Sequence, residues 1–380
     1  MNSTERREAR YQRRKAARRA RELERAAQRG AFEEVFSFER LYTEGKKCCN
    51  GTRWKASTQR FEANLLTNAA NLRRELLSGR YKGRGFHEFG LYERGHHRRI
   101  KSVHITDRAV QKVFNTHVLR PAVTPTLIYA NGACQPGKGT DLHLEILEAH
   151  LHRHYRHHGR KGGILLWDFK SFFDTIPHRA LTEAARRRIV EPRLAALFEQ
   201  LVGDFGEVGL GLGSEVSQTS AVFVVNPIDH YFKDRLRVKC YAHYADDGYI
   251  ISADMDFLRE CLRQFRALAE ELGLTLNENK TKIVRLTHQF TFLKKRFRLT
   301  ETGAVIRRLS RDNLKKRRRI LRKFRERVDD GKMTIAAVIQ SYASWRSYAA
   351  RARSYKTLRR MDTLLKTLFR KELEGICLPF

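Results

Sequence analysis

The sequence predicts an α+β fold, because segments with helical patterns surround a β-rich stretch that begins near residue 163. The segment GGILLWDF (162–169) is typical of a short buried strand that ends in an acid. The segment KCYAHYADDGYIISA (239–253) predicts two strands that turn at Ala245–Asp246–Asp247–Gly248. A second hairpin is expected within 290–309, with its turn at Glu301–Thr302–Gly303.

Helical patterns account for most of the remaining chain. Residues 1–30 are predicted to form a basic helix, and residues 255–272 an amphipathic helix that closes at Gly273. The stretch 79–90 interrupts the helical pattern. The other expected helices cover 31–80, 141–158 with Thr140 or Asp141 as its cap, 178–202, 217–236 and the region from 310 onward.

The charge of the chain points to an acidic partner. The 380 residues include 76 Lys and Arg against 42 Asp and Glu, a formal net charge of +34. Such an excess repels itself, and a polyanion relieves it because each phosphate contact releases counterions. Residues 1–30 hold 11 basic and 4 acidic residues, and residues 307–327 hold 12 against 2. Both segments are predicted to bind nucleic acid, and a solvated helix is the alternative for 1–30.

The composition also bears on location. No apolar run approaches the roughly 20 residues that span a bilayer, and the N-terminus lacks the apolar region of a secretory signal. The N-terminus is Arg-rich like a transit peptide, but its glutamates disfavour that alternative. The 6 cysteines form no C-x-x-C pair, which fits a reducing compartment. We therefore expect a cytoplasmic protein that does not contact a membrane.

Three aspartates are candidates for metal binding. Asp168 ends a buried strand, and Asp246 and Asp247 share a turn. Grouped carboxylates repel one another, and divalent cations relieve that repulsion. Mg²⁺ binds one or two carboxylates together with substrate phosphates, and two ions about 3.5–4 Å apart promote phosphoryl transfer. Because Asp-Asp-Gly is also common turn chemistry, the prediction depends on the third aspartate.

Around these aspartates the sequence resembles the reverse transcriptases. YADD at 244–247 resembles their Y-x-D-D motif, and WDFKSFFDTIPH at 167–178 resembles the block that carries their first aspartate. The other blocks that follow the family's order are RRIKSVHITDRAVQKVF at 98–114, ANGACQPGKGT at 130–140, LGSEVSQ at 212–218, LGLTLNENKTKIV at 272–284 and FTFLKKRF at 290–297. YADD alone would be a weak signal, whereas these blocks in order make the resemblance specific.

The resemblance implies an α+β right-hand polymerase. It divides the chain into a basic helical extension at 1–80, fingers and palm at 81–288, and a primer-grip hairpin with a basic helical thumb at 289–380. The implied catalytic residues and ligands of two Mg²⁺ ions, for which Mn²⁺ is a substitute, are Asp168, Asp246 and Asp247, with the Phe169 carbonyl as a further ligand.

The same resemblance implies nucleotide and nucleic-acid contacts. Phe173 falls where a ring would exclude a ribose 2′-hydroxyl, and either Phe172 or Phe173 is expected in the core. The other residues implied to contact the incoming nucleotide are Arg98, Arg99, Lys138, Leu212, Gly213, Gln218 and Lys280, the last with a solvated lysine as the alternative. The residues expected to contact nucleic acid are Arg13, Arg14, Lys294, Lys295, Lys316, Arg318, Trp345 and Arg346.

The sequence departs from the family at three of these positions. Leu212 and Gln218 stand where Q-G-x-x-x-S-P would place Gln and Pro, and Lys294 stands where F-L-G would place Gly. Ser217–Gln218 is similar to the enzymes of diversity-generating retroelements, which are error-prone at template adenines. The compact chain is equally similar to reverse transcriptases that act in defence against phage, so both roles stay open.

The expected activity is RNA-directed DNA polymerisation, which copies an RNA template, expected to be a dedicated non-coding RNA, into cDNA. The implied partners are the RNA template, a DNA primer or the cDNA, dNTPs, and an accessory protein or a second copy of the chain. A catalytically idle RNA-binding protein with the same fold is the alternative. Separately, His150, His154 and His158 have a helical spacing that could bind zinc, although a helix facing RNA is the simpler interpretation.

Overall fold

A computed structural model describes residues 3–28, 30–93 and 96–378. The helices are α1 (Ser3–Ala27), α2 (Phe32–Val35), α3 (Phe38–Cys49), α4 (Ala56–Ala63), α5 (Leu65–Leu77), α6 (Ile105–Phe114), α7 (Arg120–Val123), α8 (Thr140–His158), α9 (Phe172–Thr175), α10 (His178–Arg186), α11 (Pro192–Gly203), α12 (Glu215–Val224), α13 (Asn226–His230), α14 (Met255–Glu271), α15 (Arg311–Asp329), α16 (Ile335–Ala350) and α17 (Tyr355–Leu368). The strands are β1 (Phe86–Glu93), β2 (His96–Val103), β3 (Gly163–Asp168), β4 (Tyr241–Tyr244), β5 (Asp247–Ser252), β6 (Lys282–Arg285), β7 (Phe290–Phe292), β8 (Lys295–Leu299) and β9 (Val305–Leu309). Short π-helical turns cover Asn115–Leu119 and Tyr231–Arg235, and a 3₁₀ turn covers Thr124–Thr126.

The chain forms two compact units that are each built from separate segments. Unit 1 comprises residues 1–137, 168–239 and 263–277, and unit 2 comprises residues 138–167, 240–262 and 278–380. The predicted division at residues 80 and 288 stays a prediction. Within the described residues, no helix has both the length and the apolar character that a membrane-spanning segment requires.

Unit 1 is mainly helical and contains a β-hairpin. Helices α3, α5 and α6 pack together, and strands β1 and β2 pair antiparallel from Phe86↔Val103 to Glu93↔His96. The buried carboxylate of Asp107, in α6, accepts hydrogen bonds from the Tyr81 hydroxyl (3.1 Å) and from the Arg84 backbone N–H (2.7 Å). These bonds tie the segment that leads into β1 to the helical core.

Unit 2 contains a four-stranded sheet in the order β4-β5-β3-β6. Strand β3 is buried along its whole length, which agrees with its unbroken apolar sequence. Helix α8 packs against β4 and β5, and the hydroxyl of the buried Tyr249 lies 2.9 Å from His150 Nδ1. The sheet therefore holds β5 between β3 and β4, with α8 packed against the hairpin.

The C-terminal part of unit 2 combines a small sheet with a helical bundle. Strands β7, β8 and β9 form a three-stranded antiparallel sheet. Helices α15, α16 and α17 enclose an apolar core whose buried members are Leu321, Val338, Tyr342, Met361, Leu365 and Phe369.

Several sequence expectations are confirmed and three need correction. The strands at 163–168 and on both sides of Asp246 form as predicted. The hairpin expected within 290–309 has a third strand, because Leu293 and Lys294 make an additional two-residue turn at φ +45° and +63°. The β1–β2 hairpin was not predicted, because its strands lack a regular apolar alternation. The cap of α8 is Gly139 and not Thr140 or Asp141.

Candidate active site

The turn between β4 and β5 fixes the position of Asp246 and Asp247. Tyr244 pairs with Asp247 across the hairpin, so Ala245 and Asp246 form a two-residue loop. Ala245 has φ +55°, at a loop position where glycine is common. The buried His243 donates its Nε2–H to the Ala245 carbonyl at 2.5 Å, which holds the loop in this conformation. A non-glycine residue held at positive φ is typical of functional sites.

A tight contact joins the strands that carry the aspartates. Strand β3, which ends at Asp168, is adjacent in the sheet to β5, which begins at Asp247. A Cβ atom placed on Gly248 would lie 2.1 Å from Cζ2 of the buried Trp167. Only glycine therefore fits at 248, because the indole of the residue before Asp168 occupies the side-chain space of the residue after Asp247.

Asp168 is held by backbone and side-chain bonds within unit 1. Its side chain is buried, and Asn277 Nδ2 donates to Asp168 Oδ1 at 3.1 Å. The Asn277 backbone N–H donates to the Asp168 carbonyl at 2.8 Å, and Phe169 forms an isolated bridge with Leu276. Asn277 was not predicted as a site residue, and its place in the block at 272–284 is the sequence signal that could have indicated it.

The two phenylalanines after Asp168 differ in their burial. Phe172 is 4% exposed, and its ring stacks on Phe169 with centroids 5.1 Å apart. Phe173 is half-buried, and its ring meets Phe172 edge-on at 5.8 Å. Phe172 is therefore the core residue of the pair, and Phe173 is the one that keeps partial access to solvent.

The segment after Phe173 is packed against the loop that leads into α12. The Leu210 backbone N–H donates to the Phe173 carbonyl at 2.6 Å. Leu212 is half-buried and lines a cavity of about 120 Å³, together with Lys101 and Asp174. The other two predicted residues of this loop, Gly213 with φ +109° and Gln218 on α12, are exposed.

The predicted basic contacts to the nucleotide differ in their surroundings. Lys138 is half-buried, and burial lowers the pKa of its ammonium group. Lys280 is exposed. Arg98 and Arg99 belong to β2, and their side chains lie outside the described part of the structure.

Four of the residues expected to contact nucleic acid are exposed. Lys294 lies at the tip of the β7–β8 turn, Lys316 and Arg318 lie on α15, and Arg13 lies on α1. The side chain of Arg14 lies outside the described part of the structure.

Three of the residues expected to contact nucleic acid have partners inside unit 2. Lys295 is 1% exposed, and its ammonium group donates to the Tyr348 carbonyl at 3.1 Å and lies over the Tyr348 ring. Trp345 packs on the bundle core and donates to Asn313 Oδ1 at 3.0 Å. Arg346 forms a two-pronged ion pair with Asp362 at 2.9 and 3.0 Å. Each of these side chains therefore contributes to the packing of unit 2, and its contact with nucleic acid stays a prediction.

Metal ligation stays a prediction. Across the described ranges, no group of three His, Cys, Asp or Glu side chains is arranged as a metal site. His154 Nε2 is bonded to the Lys161 carbonyl at 2.8 Å, and His150 to Tyr249. Two of the three histidines that suggested zinc, His150 and His154, thus have hydrogen-bond partners. The carboxylate oxygens of the three aspartates are a donor set that suits Mg²⁺.

The family follows from a comparison with known proteins. Residues 87–295, more than half of the chain, match the family described as reverse transcriptase (RNA-dependent DNA polymerase). This chain is a member of the reverse transcriptase family. The match covers both aspartate motifs, β3 through β7 and the loop before α12.

Individual relatives of this reverse transcriptase are distant. Protein YkfC of Escherichia coli (strain K12) is 27% identical over 188 residues, which cover 36% of this chain and 49% of YkfC. Telomerase from Candida albicans, solved with a fragment of telomeric RNA, is 12% identical with a TM-score of 0.48, over 76% of this chain and 56% of that one. Apo telomerase from Candida tropicalis is 11% identical with a TM-score of 0.43, over 58% of this chain and 48% of that one. The chain thus spans about half the length of these relatives.

Family membership confirms the main sequence predictions. The α+β right-hand polymerase fold is confirmed, and RNA-directed DNA polymerase is confirmed as the enzyme class of the family. Reverse transcriptases generally use divalent metal ions.

Proposed function

We propose that this chain copies RNA into DNA by adding dNTPs to a 3′-hydroxyl, or to a protein hydroxyl when it primes its own synthesis. One observation carries the proposal: adjacent strands of one sheet bear the aspartates of both family motifs, with Gly248 packed on Trp167. An RNA-binding protein without activity would not need the loop that holds Ala245 at positive φ beside Asp246. This observation therefore favours the active enzyme over the catalytically idle alternative.

The three aspartates are proposed to hold the metals. Asp168, Asp246 and Asp247, with the Phe169 carbonyl, supply oxygen ligands for two Mg²⁺ ions, and Mn²⁺ is the proposed substitute. When bound, such ions stabilise the charge that develops on the transferred phosphate and on the leaving pyrophosphate. Asn277 has a positioning role, because its amide orients the Asp168 carboxylate from one side.

Other residues are proposed to select and bind the dNTP. The half-buried ring of Phe173 would exclude a ribose 2′-hydroxyl by contact, which is selection by repulsion. Lys138, Lys280, Arg98 and Arg99 would neutralise the triphosphate. Leu212, Gly213 and Gln218 are proposed to line the site of the base pair that is being formed.

The proposed macromolecular partners are an RNA template, a DNA primer or the cDNA, and an accessory protein or a second copy of this chain. Eight exposed basic residues of α15 support phosphate binding: Arg311, Lys315, Lys316, Arg318, Arg319, Arg322, Lys323 and Arg327. A dedicated non-coding RNA is the proposed template, and the role is diversity generation or defence against phage. A cytoplasmic location is proposed, because all 6 cysteines are free.

The test is primer extension with aspartate variants. Asp246→Asn and Asp247→Asn should each lower dNTP incorporation by at least about a hundredfold, because an electrostatic contribution to the transition state is lost. Affinity for RNA should change little, since most phosphate contacts lie elsewhere. Asp256→Asn is the matched control, because Asp256 is an exposed residue of α14 outside the turn. Extension at the wild-type rate by a variant that lacks both Asp246 and Asp247 would refute the proposal.

A further inference from the structure

An open cleft in unit 1 has no part in the proposed polymerase chemistry. Its volume is about 580 Å³, which is in the range of small-ligand sites. The loop after α3, the first turn of α4, the base of the β1–β2 hairpin and the start of α6 form its walls. All of its lining residues belong to residues 52–108, so the cleft lies within a single unit.

The rim of the cleft carries an aromatic ring that is almost fully open to solvent. Trp54 is 77% exposed, whereas Trp167 is 2% exposed and Trp345 is packed on the bundle core. The Lys55 ammonium group lies 5.2 Å from the centre of the Trp54 ring. A large apolar ring left in water has no stabilising role in the fold, and stacking on a ligand would remove it from water.

The Lys and Arg side chains that line the cleft have no acidic counterpart in the lining. These side chains are Lys55, Arg84 and Arg108. Arg84 is already neutralised by Glu75 and Asp107, each at 3.1 Å. Lys55 and Arg108, by contrast, have no carboxylate partner among the residues that the structure describes. Two cations are therefore available to an anionic ligand.

Backbone N–H groups at two helix N-termini add to the positive charge of these side chains. Helices α4 and α6 both begin at the cleft, which is lined by Lys55 and Ser57 at one N-terminus and by His104 and Ile105 at the other. Helix N-termini attract phosphate groups. His104 Nδ1 accepts a hydrogen bond from the Thr106 N–H at 3.3 Å, so its Nε2 carries the proton and is a donor.

We infer that this cleft binds a single-stranded segment of RNA, with a base stacked on Trp54 and the adjoining phosphate held by Lys55 and Arg108. A stacking platform beside cations is how proteins hold unpaired strands, and paired bases cannot use it because they already stack on each other. The inference rests on the proposed function in that it gives the template RNA a second attachment site, remote in sequence from both aspartate motifs.

The experiment follows the fluorescence of Trp54 in the full chain. The probe is a single-stranded oligouridylate of about 12 nucleotides, a length in the range of single-strand binding sites. Divalent metal and dNTPs are left out, so the readout does not depend on polymerase activity. We expect the probe to quench the exposed tryptophan emission, and Trp54→Phe to abolish that quenching while Trp345→Phe preserves it.

Affinity variants test each part of the site. Trp54→Ala should weaken binding of the same probe by at least about fivefold, and Trp54→Phe should weaken it much less. Leu66→Ala, which removes another exposed apolar side chain, on α5, should have no effect. Lys55→Gln should reduce the slope of log affinity against log salt by about 0.7, because one phosphate contact to a single strand is lost. The exposed Lys46, outside the cleft, provides the control variant Lys46→Gln, which should leave the quenching of Trp54 unchanged.

Three results would overturn the inference: no quenching by the probe, equal quenching by a fully paired RNA duplex, or equal quenching by poly-glutamate, which would indicate an acidic peptide. Quenching in a chain that fails to extend primers would instead refute only the polymerase proposal.

Discussion

At the scale of single residues, the two phenylalanines after Asp168 have opposite surroundings and should respond differently to truncation. Phe173→Ala should admit rNTPs with a smaller effect on dNTP incorporation, because it removes a repulsive contact. Phe172→Ala removes a ring that stacks on Phe169 in the core, and should cost about 3–5 kcal/mol of stability. Incorporation of rNTPs and dNTPs, measured together with thermal unfolding, separates the two effects.

The Phe172→Ala variant serves as the control for this comparison. It should lose rNTP and dNTP incorporation in parallel as the protein unfolds. If Phe173→Ala instead unfolds normally and still rejects rNTPs, Phe173 does not provide the selection.

Lys295 gives the stability of the protein a defined pH dependence. Burial and, to a smaller extent, the positive charges of Arg307 and Arg351 lower the pKa of its ammonium group from 10.5 to about 8, while Asp141 opposes this shift. Between pH 8 and 10.5 the unfolded chain binds this proton more tightly than the folded chain. The folded state should therefore gain up to about 1.4 kcal/mol per pH unit within that window.

The measurement is urea unfolding of the wild type and of Lys295→Met at several pH values from 7 to 10. The free energy of unfolding of the wild type, minus that of Lys295→Met, should rise with pH above 8. Lys294→Met is the matched control, because Lys294 is the exposed neighbour and should contribute no such slope. A pH-independent difference for Lys295→Met would contradict the buried ammonium group.

At the scale of elements, α1 is distinguished by its excess of positive charge. It carries ten Lys and Arg against four Glu, and a contact with the rest of unit 1 is made by Arg19, which donates to the Arg187 carbonyl at 2.9 Å. Deletion of residues 1–27 should flatten the dependence of RNA affinity on salt, because each lost phosphate contact lowers the log–log slope by about 0.7 for a single strand.

A variant that keeps the helix provides the control for the deletion. Replacement of Arg6, Arg10, Arg13, Arg21 and Arg25 by Gln removes charge without removing backbone and should flatten the slope as well. If neither variant changes the slope, α1 is a solvated helix or contacts a protein, and the prediction for Arg13 and Arg14 is wrong.

At the scale of the whole molecule, the net charge of +34 should make stability depend on anions. Self-repulsion destabilises the compact state, so the unfolding temperature of the RNA-free protein should rise as salt is added. RNA at about 100 times its dissociation constant should add about 2.7 kcal/mol. Thermal unfolding at increasing salt concentration measures the effect of salt on the RNA-free protein, and a non-ionic solute serves as the control. An unfolding temperature that falls as salt is added would contradict the prediction.

The sequence by itself determined the features that depend on local pattern. Short apolar runs and the turn residues between them located the strands and the turn that bear Asp168, Asp246 and Asp247, because a strand and its turn are encoded within about ten residues. The order of the motifs was sufficient to indicate the family, which the match over residues 87–295 confirmed. The net charge alone pointed to a polyanionic partner, because long-range electrostatic attraction depends on the summed charge of the chain and not on its fold.

Only the tertiary structure decided what each side chain touches. It placed Phe172 in the core, buried Lys295 under Tyr348, and turned Trp345 and Arg346 toward partners inside unit 2. It also packed Gly248 on Trp167 and opened the cleft beside Trp54. These outcomes join residues that are far apart in the chain, and their energies come from packing and desolvation, which a local pattern of residue types does not specify.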